Sequence, residues 1–126
     1  MKPEDPDVYE NEELEGIWKS IYNDKNLYYI VVKIDGKIVS SCNIAIIKNL
    51  TRNLRSYGLI ENVITDSNYR KKGHATKALN MAIEIAKDND CYKIMLLTGS
   101  KEKETLKFYE QIGFIRGIKI GFIKNL

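Results

Sequence analysis

Between Tyr57 and Leu97 the chain spells out a strand, a basic glycine loop, a helix and a second strand. Few folds accommodate that order. Tyr57 to Thr65 is strand-like. From Ala75 to Lys87, residues Ala75, Ala78, Leu79, Ala82, Ile83 and Ala86 recur at helical period, and Asp88-Asn89-Asp90 stops the helix. Cys91 to Leu97 is apolar apart from Lys93, the composition of a buried central strand. A strand–helix–strand unit of this length calls for a parallel crossover. Its loop, Arg70-Lys71-Lys72-Gly73-His74-Ala75-Thr76, reads R-x-x-G-x-A. At such a helix start, free backbone N–H groups and the helix dipole face an anion, so a phosphate or pyrophosphate is the expected ligand. Gly73 lets the backbone approach closely, Ala75 keeps the helix start thin, and Arg70, Lys71 and Lys72 add charge. The loop matches neither G-x-x-x-x-G-K-[ST] nor G-x-G-x-x-G.

The remaining elements surround this unit. Residues 1–10 hold both prolines and several acids and read as an irregular lead-in. Leu14, Ile17, Trp18 and Ile21 make one face of a helix over Glu12–Tyr22. Leu27–Ile34 and Lys37–Ile47 are strands joined by Asp35-Gly36, a strong hairpin signal. Asn49 to Tyr57 is a basic, polar connection. Glu102–Ile112 is a helix closed by Gly113, and Phe114–Ile123 alternates like a last strand around Gly117 and Gly121. The expected fold is mixed α/β in one domain over residues 1–126. A chain of 126 residues with 44% hydrophobic and 29% charged residues can bury one core. A net charge of +3, spread along the chain, does not point to nucleic acid. Cys42 and Cys91 lack metal-ligand spacing and read as reduced, buried thiols of a cytoplasmic protein. No apolar stretch or leader argues for a membrane or for secretion.

Two linked segments carry a resemblance. Gly58 to Ala75 (GLIENVITDSNYRKKGHA) resembles motif A of the GNAT superfamily of acyl-CoA-dependent N-acetyltransferases. Cys91 to Ser100 and Thr105 to Phe114, with Phe108-Tyr109 and Gly113-Phe114, resemble that family's next strand and helix. Together the match spans roughly residues 11–126. It implies a GNAT fold, acetyl-CoA as acyl donor and the amine of a small molecule as acceptor. Members of the family begin with an additional strand and helix, for which only about ten residues precede Glu12. A sheet short of its first strand is therefore expected. A truncated product, a misassigned start or an edge supplied by another chain would each account for it, and an uncovered edge favours a homodimer.

Acyl transfer to an amine requires a held donor, a neutral amine, a stabilised oxyanion and a protonated leaving thiolate. By resemblance, the backbone from Lys71 to Thr76 takes the pyrophosphate, and Val63 and Thr65 pair with the pantetheine arm, with an N–H near Val63 as oxyanion donor. His74 reads as an exposed loop residue or a phosphate contact; with no second histidine, no metal is expected. Glu61 is the base candidate. Strand period would put it on the face of Val63 and Thr65, and burial in an apolar run would make it a better base. The other reading pairs it with Arg52 or Arg55. Tyr109 is by resemblance the acid that protonates the thiolate; otherwise it is a core aromatic beside Leu106 and Ile112. The family often has Asn seven positions before this Tyr, where this chain has Glu102. Thr98 and Ser100 could replace that contact.

The resemblance builds the acceptor site from the early helix and the 49–57 connection, where Arg52, Arg55 and Tyr57 could recognise an acidic or phosphorylated acceptor. They could equally be a solvated loop. The strand sequences look closest to the glucosamine-6-phosphate N-acetyltransferase-like branch. The expected activity is therefore N-acetylation of a small primary amine by direct attack. The alternatives are a catalytically incompetent CoA-binding module and a nucleic-acid-binding domain using Arg52, Arg55 and Arg70–Lys72.

Overall fold

A computed structural model describes residues 11–126, so the expected lead-in lies outside the described residues. The elements are α1 (Glu12–Asn23), β1 (Leu27–Ile34), β2 (Lys37–Ile47), β3 (Tyr57–Thr65), α2 (His74–Asp88), β4 (Ile94–Leu96) and α3 (Lys103–Ile112), with short 3₁₀ turns at Arg52–Leu54 and Ser67–Tyr69. The sheet is mixed, in the order β1-β2-β3-β4. The chain divides into two compact units, Met1–Met95 and Leu96–Leu126.

In the first unit the hairpin forms as expected. Asp35 (φ 50°) and Gly36 (φ 80°) both take left-handed backbone, as a two-residue turn of the primed type requires. Leu27 pairs with Ala45 and Ile34 with Lys37 at the two ends of the ladder. One sheet face holds Ser40, Cys42, Ile44, Ile46 and Ile60, all buried. Ala78, Leu79, Ala82 and Ala86 of α2 are buried too, and this small-residue stripe lets the helix lie close over the strands. Ile44 and Leu79 are completely closed to solvent. Burial pushes the Cys42 thiol up to about 11, so it stays protonated; burial also raises Cys91, and neither cysteine is bridged.

Among the described residues the opposite face is less fully buried, Asn43 being its buried member in the middle of β2. Asn11 caps α1 by accepting from the Leu14 N–H at 2.8 Å, but none of the helix residues is buried. Its Trp18 meets Tyr29 edge-on at 6.3 Å between ring centroids, and both rings stay about half exposed.

The second unit departs from expectation. Phe114–Ile123 is not a strand: Gly117 has φ 80°, and no backbone ladder forms beyond the α3 cap. Two glycines in ten residues weaken a strand. Gly121 instead lies against Leu97, where a Cβ would come within 2.9 Å of Leu97 Cδ2. The strand expected over Cys91–Leu97 shortens to three half-buried residues for the same reason: among the described residues no strand pairs along its outer edge. Helix α3 ends at Gly113, φ 115°, whose N–H donates to Glu110 and Tyr109 carbonyls.

Candidate active site

The centre of the site is a bulge in β3. The ladder with β2 pairs Asn43 with Glu61 and then Ser41 with Ile64, so one residue of β2 faces two of β3. Asn62, at φ 55°, takes up the extra residue. A bulge reverses the phase of the strand. Before it, Gly58 and Ile60 share the α2-covered face with Ile46 and Ile44; after it, Thr65 shares that face with Ser40. Ser40 Oγ donates to the Ile64 carbonyl and meets Thr65 Oγ1, each at 3.0 Å, which supports the displaced end of the strand.

Two expectations about Glu61 are corrected by this register. Glu61 lies with Asn43 on the face away from α2, opposite to Thr65, because the bulge breaks the two-residue period between them. It is also exposed rather than buried. Neither Arg52 nor Arg55 pairs with it. Val63 is half-buried and, like Asn62, has no partner on β2. Since β4 stops at Leu96 while β3 continues to Thr65, the far edge of β3 is left without a strand neighbour among the described residues.

From Thr65 the chain turns into the phosphate loop. The Asp66 carboxylate accepts from the Asn68 N–H at 2.9 Å and meets Lys37 Nζ at 3.2 Å. These contacts, the Asn68 bond first, hold its carboxyl below the ordinary aspartate value of 3.8. A lowered folded-state value means that its support is present at neutral pH and lost as the pH falls through that value. An NMR titration should therefore move the Asn68 amide resonance with a midpoint below 3.8. A midpoint at or above the ordinary value would remove Asp66 as the anchor of the loop.

The loop itself is left-handed at Lys71 (φ 61°) and Gly73 (φ 83°). Gly73 is the N-cap of α2, and no side chain caps the helix there. The first intrahelical bond runs from Lys77 N–H to the Gly73 carbonyl, so the preceding N–H groups of the helix point out of its end. Arg70, Lys71 and Lys72 are exposed around them, with Ala75 and Thr76 half-buried. A Cβ on Gly73 would meet nothing within 4 Å, so the space over the loop is open. His74 is not the exposed loop residue expected: it is half-buried beside Tyr69 (6.2 Å), and its Nδ1 is sealed without a hydrogen-bond partner. Lys37 and Lys72 lie over the same Tyr69 ring at 5.3 and 5.5 Å.

On the approach to β3, Arg52, Asn53 and Leu54 form a left-handed turn with φ from 54° to 63°. Such a conformation costs residues with a Cβ about 1–2 kcal/mol each. Arg55 Nε reaches the Asp90 carbonyl at 3.2 Å, Nη2 the Cys91 carbonyl at 3.1 Å, and the Asp90 carboxylate lies 3.3 Å from Nε. This clamp ties the end of α2 to the start of β3 and accounts for Arg55 without a ligand. Arg52 packs over Tyr92 (5.5 Å), Tyr92 meets Tyr57 edge-on (6.3 Å), and Lys93 lies 5.3 Å from both rings. This aromatic and cationic cluster could not be read from residue order, because it joins side chains from separate segments.

In the second unit, Ser100 N–H donates to Thr98 Oγ1 at 3.2 Å, Ser100 Oγ accepts from the Glu102 N–H at 3.3 Å, and it meets Thr105 Oγ1 at 3.2 Å. Thr98 and Ser100 thus organise the start of α3. Tyr109 is half-buried, edge-on to Phe108 at 5.1 Å and to Phe114 at 6.3 Å.

Residues 2–114 match the acetyltransferase (GNAT) family. Among curated relatives, glucosamine 6-phosphate N-acetyltransferase of Trypanosoma brucei brucei is 39% identical over 79 residues, which is 63% of this chain and 52% of that protein. The chain thus spans about half the length of that relative. The solved structure of a provisionally assigned acetyltransferase from Agrobacterium tumefaciens strain C58 is 35% identical, with a TM-score of 0.91 covering 98% of this chain and 85% of that one. Glucosamine-6-phosphate N-acetyltransferase of Arabidopsis thaliana is 29% identical, with a TM-score of 0.80 over 90% of this chain and 77% of that one. No described helix is long and apolar enough to cross a membrane.

Proposed function

Because this chain belongs to the GNAT acetyltransferase family, whose acyl donor is acetyl-CoA, we propose that it N-acetylates the primary amine of a small molecule by direct attack. The observation that carries this reading is the bulged β3 leading into an uncapped, left-handed loop and the start of α2. Residues 1–126 act as one N-acetyltransferase domain. The backbone from Lys71 to Thr76 holds the pyrophosphate, Arg70 adding charge, and the free edge at Val63 and Thr65 takes the pantetheine arm. Thr98 and Ser100 serve as further donor contacts in this reading. Glu61, exposed on the face away from α2, takes a proton from the amine directly or through water. Tyr109 donates its proton to the leaving thiolate. Arg52, Arg55 and Tyr57 flank the acceptor, and the Arg52–Tyr92–Tyr57 cluster supports that reading more than the clamped Arg55 does.

The names of the similar proteins make amino sugars the first acceptors to try. Calorimetry with acetyl-CoA should give micromolar binding, and thiol release should follow addition of D-glucosamine 6-phosphate or D-glucosamine. A folded sample that binds no acetyl-CoA would overturn the proposal. Tyr109→Phe should lower turnover roughly 10²- to 10⁴-fold with acetyl-CoA affinity kept, the span of a general-acid contribution. Unchanged turnover would remove Tyr109 from the chemistry. The unbridged thiols support a cytoplasmic location. The outer edge of β1, unpaired among the described residues, supports a homodimer.

A further inference from the structure

We propose that Asn43 is a positioning residue for the acceptor, holding the amine and a polar group on its adjacent carbon beside Glu61. The proposal rests on the acetyltransferase reading. Its basis is one row of the sheet: Tyr29 pairs with Asn43 and Asn43 with Glu61, so three polar side chains stand side by side on the face away from α2. The rows on either side are mainly apolar, Leu27-Ala45-Leu59 and Val31-Ser41-Ile64. Directly paired residues hold their Cβ atoms about 5 Å apart, the reach of one small ligand group.

Asn43 is the unusual member. It is 7% exposed, yet among the described residues its side-chain amide makes no hydrogen bond. His74 Nδ1 is the sealed and unpartnered polar atom of the described residues, so the Asn43 amide keeps a narrow contact with solvent. Glu61, its paired neighbour in the row, is exposed. The amide oxygen can accept an N–H of the amine while Glu61 receives its proton, and Nδ2 can donate to a neighbouring hydroxyl. Tyr29, braced edge-on by Trp18, walls the other end of the row. The row selects a primary amine with a hydroxyl on the next carbon.

The test compares wild type, Asn43→Leu and Asn43→Ser in thiol-release assays with D-glucosamine and D-glucosamine 6-phosphate, alongside acetyl-CoA calorimetry. Leucine keeps the branched shape and removes the hydrogen bonds; serine keeps one donor and acceptor. Asn43→Leu should raise the amine KM at least tenfold and leave acetyl-CoA affinity unchanged, with Asn43→Ser in between. An unchanged amine KM, or equal changes for amine and acetyl-CoA, overturns the assignment to Asn43 alone. Wild type that binds acetyl-CoA but acetylates neither amine overturns the substrate class as well. Wild type that binds no acetyl-CoA overturns the underlying reading. If Asn43→Leu does not fold, the serine variant carries the same comparison, with an unchanged amine KM again overturning the assignment.

Discussion

Gly73→Glu is expected to reduce acetyl-CoA binding at least about 100-fold while leaving the protein folded. Gly73 sits at φ 83°, and a side chain added there would meet no protein atom within 4 Å. The new carboxylate therefore enters the open space above the helix end, where the anion is proposed to sit. An acid at a helix N-terminus is favourable to the helix itself, by about 0.3–1 kcal/mol, which offsets part of the left-handed cost of about 1–2 kcal/mol. The helix ends satisfied by its own side chain and repels the ligand. Each 1.4 kcal/mol lost is a factor of about ten in affinity, so replacing attraction by repulsion readily gives two such factors. Gly73→Asn is the control, because asparagine tolerates left-handed backbone and brings no charge. It should keep binding within about tenfold, about one such factor. Calorimetry on both variants, with thermal melts to confirm folding, separates charge from backbone. Equal binding by Gly73→Glu and wild type would show that the anion is held elsewhere.

What could be read from residue order alone was whatever depends on neighbours in the chain. The Asp35-Gly36 hairpin, the bounds of β1 and β2, and the α2 stripe follow from local dihedral needs and from periods of two and 3.6. Asn62 illustrates the limit. Asparagine accepts a positive φ, but nothing in Leu59–Thr65 announces that β3 carries one residue more than β2 needs. One extra residue was enough to move Glu61 to the opposite face from Thr65, and to place it in the open instead of under cover. The same limit applies to Phe114–Ile123, which alternates like a strand but forms no ladder, since pairing depends on a partner edge as well as on pattern. The left-handed turn at Arg52–Leu54 and the Arg55 clamp are likewise products of distant packing.

The first unit should prove far less tolerant at Ile44 than any pattern of apolar residues suggests. Ile44 is closed to solvent, paired with Tyr28 and Ile60 across its two neighbours, and its Cδ1 fills the space above Gly58. Ile44→Ala should cost about 2–5 kcal/mol, the range for emptying a fully buried site. Gly58→Ala should also destabilise, by about 1–3 kcal/mol, because its Cβ would stand 2.9 Å from Ile44 Cδ1 with nowhere for that atom to go. The two effects are expected to cancel in part. Ile44→Val deletes the obstructing Cδ1, leaving contacts of 3.5 Å to Ile44 Cγ1 and 3.6 Å to Ile94 Cγ1, both ordinary. Alone, Ile44→Val should cost about 0.5–1.5 kcal/mol. Combined with Gly58→Ala it should be less destabilising than the sum of the single changes by at least about 0.5 kcal/mol, as contacting residues allow. Urea unfolding of the four proteins measures this coupling. Strict additivity would mean that Ile44 can move away from an alanine at position 58. The close approach of β3 to β2 would then not be what requires glycine there.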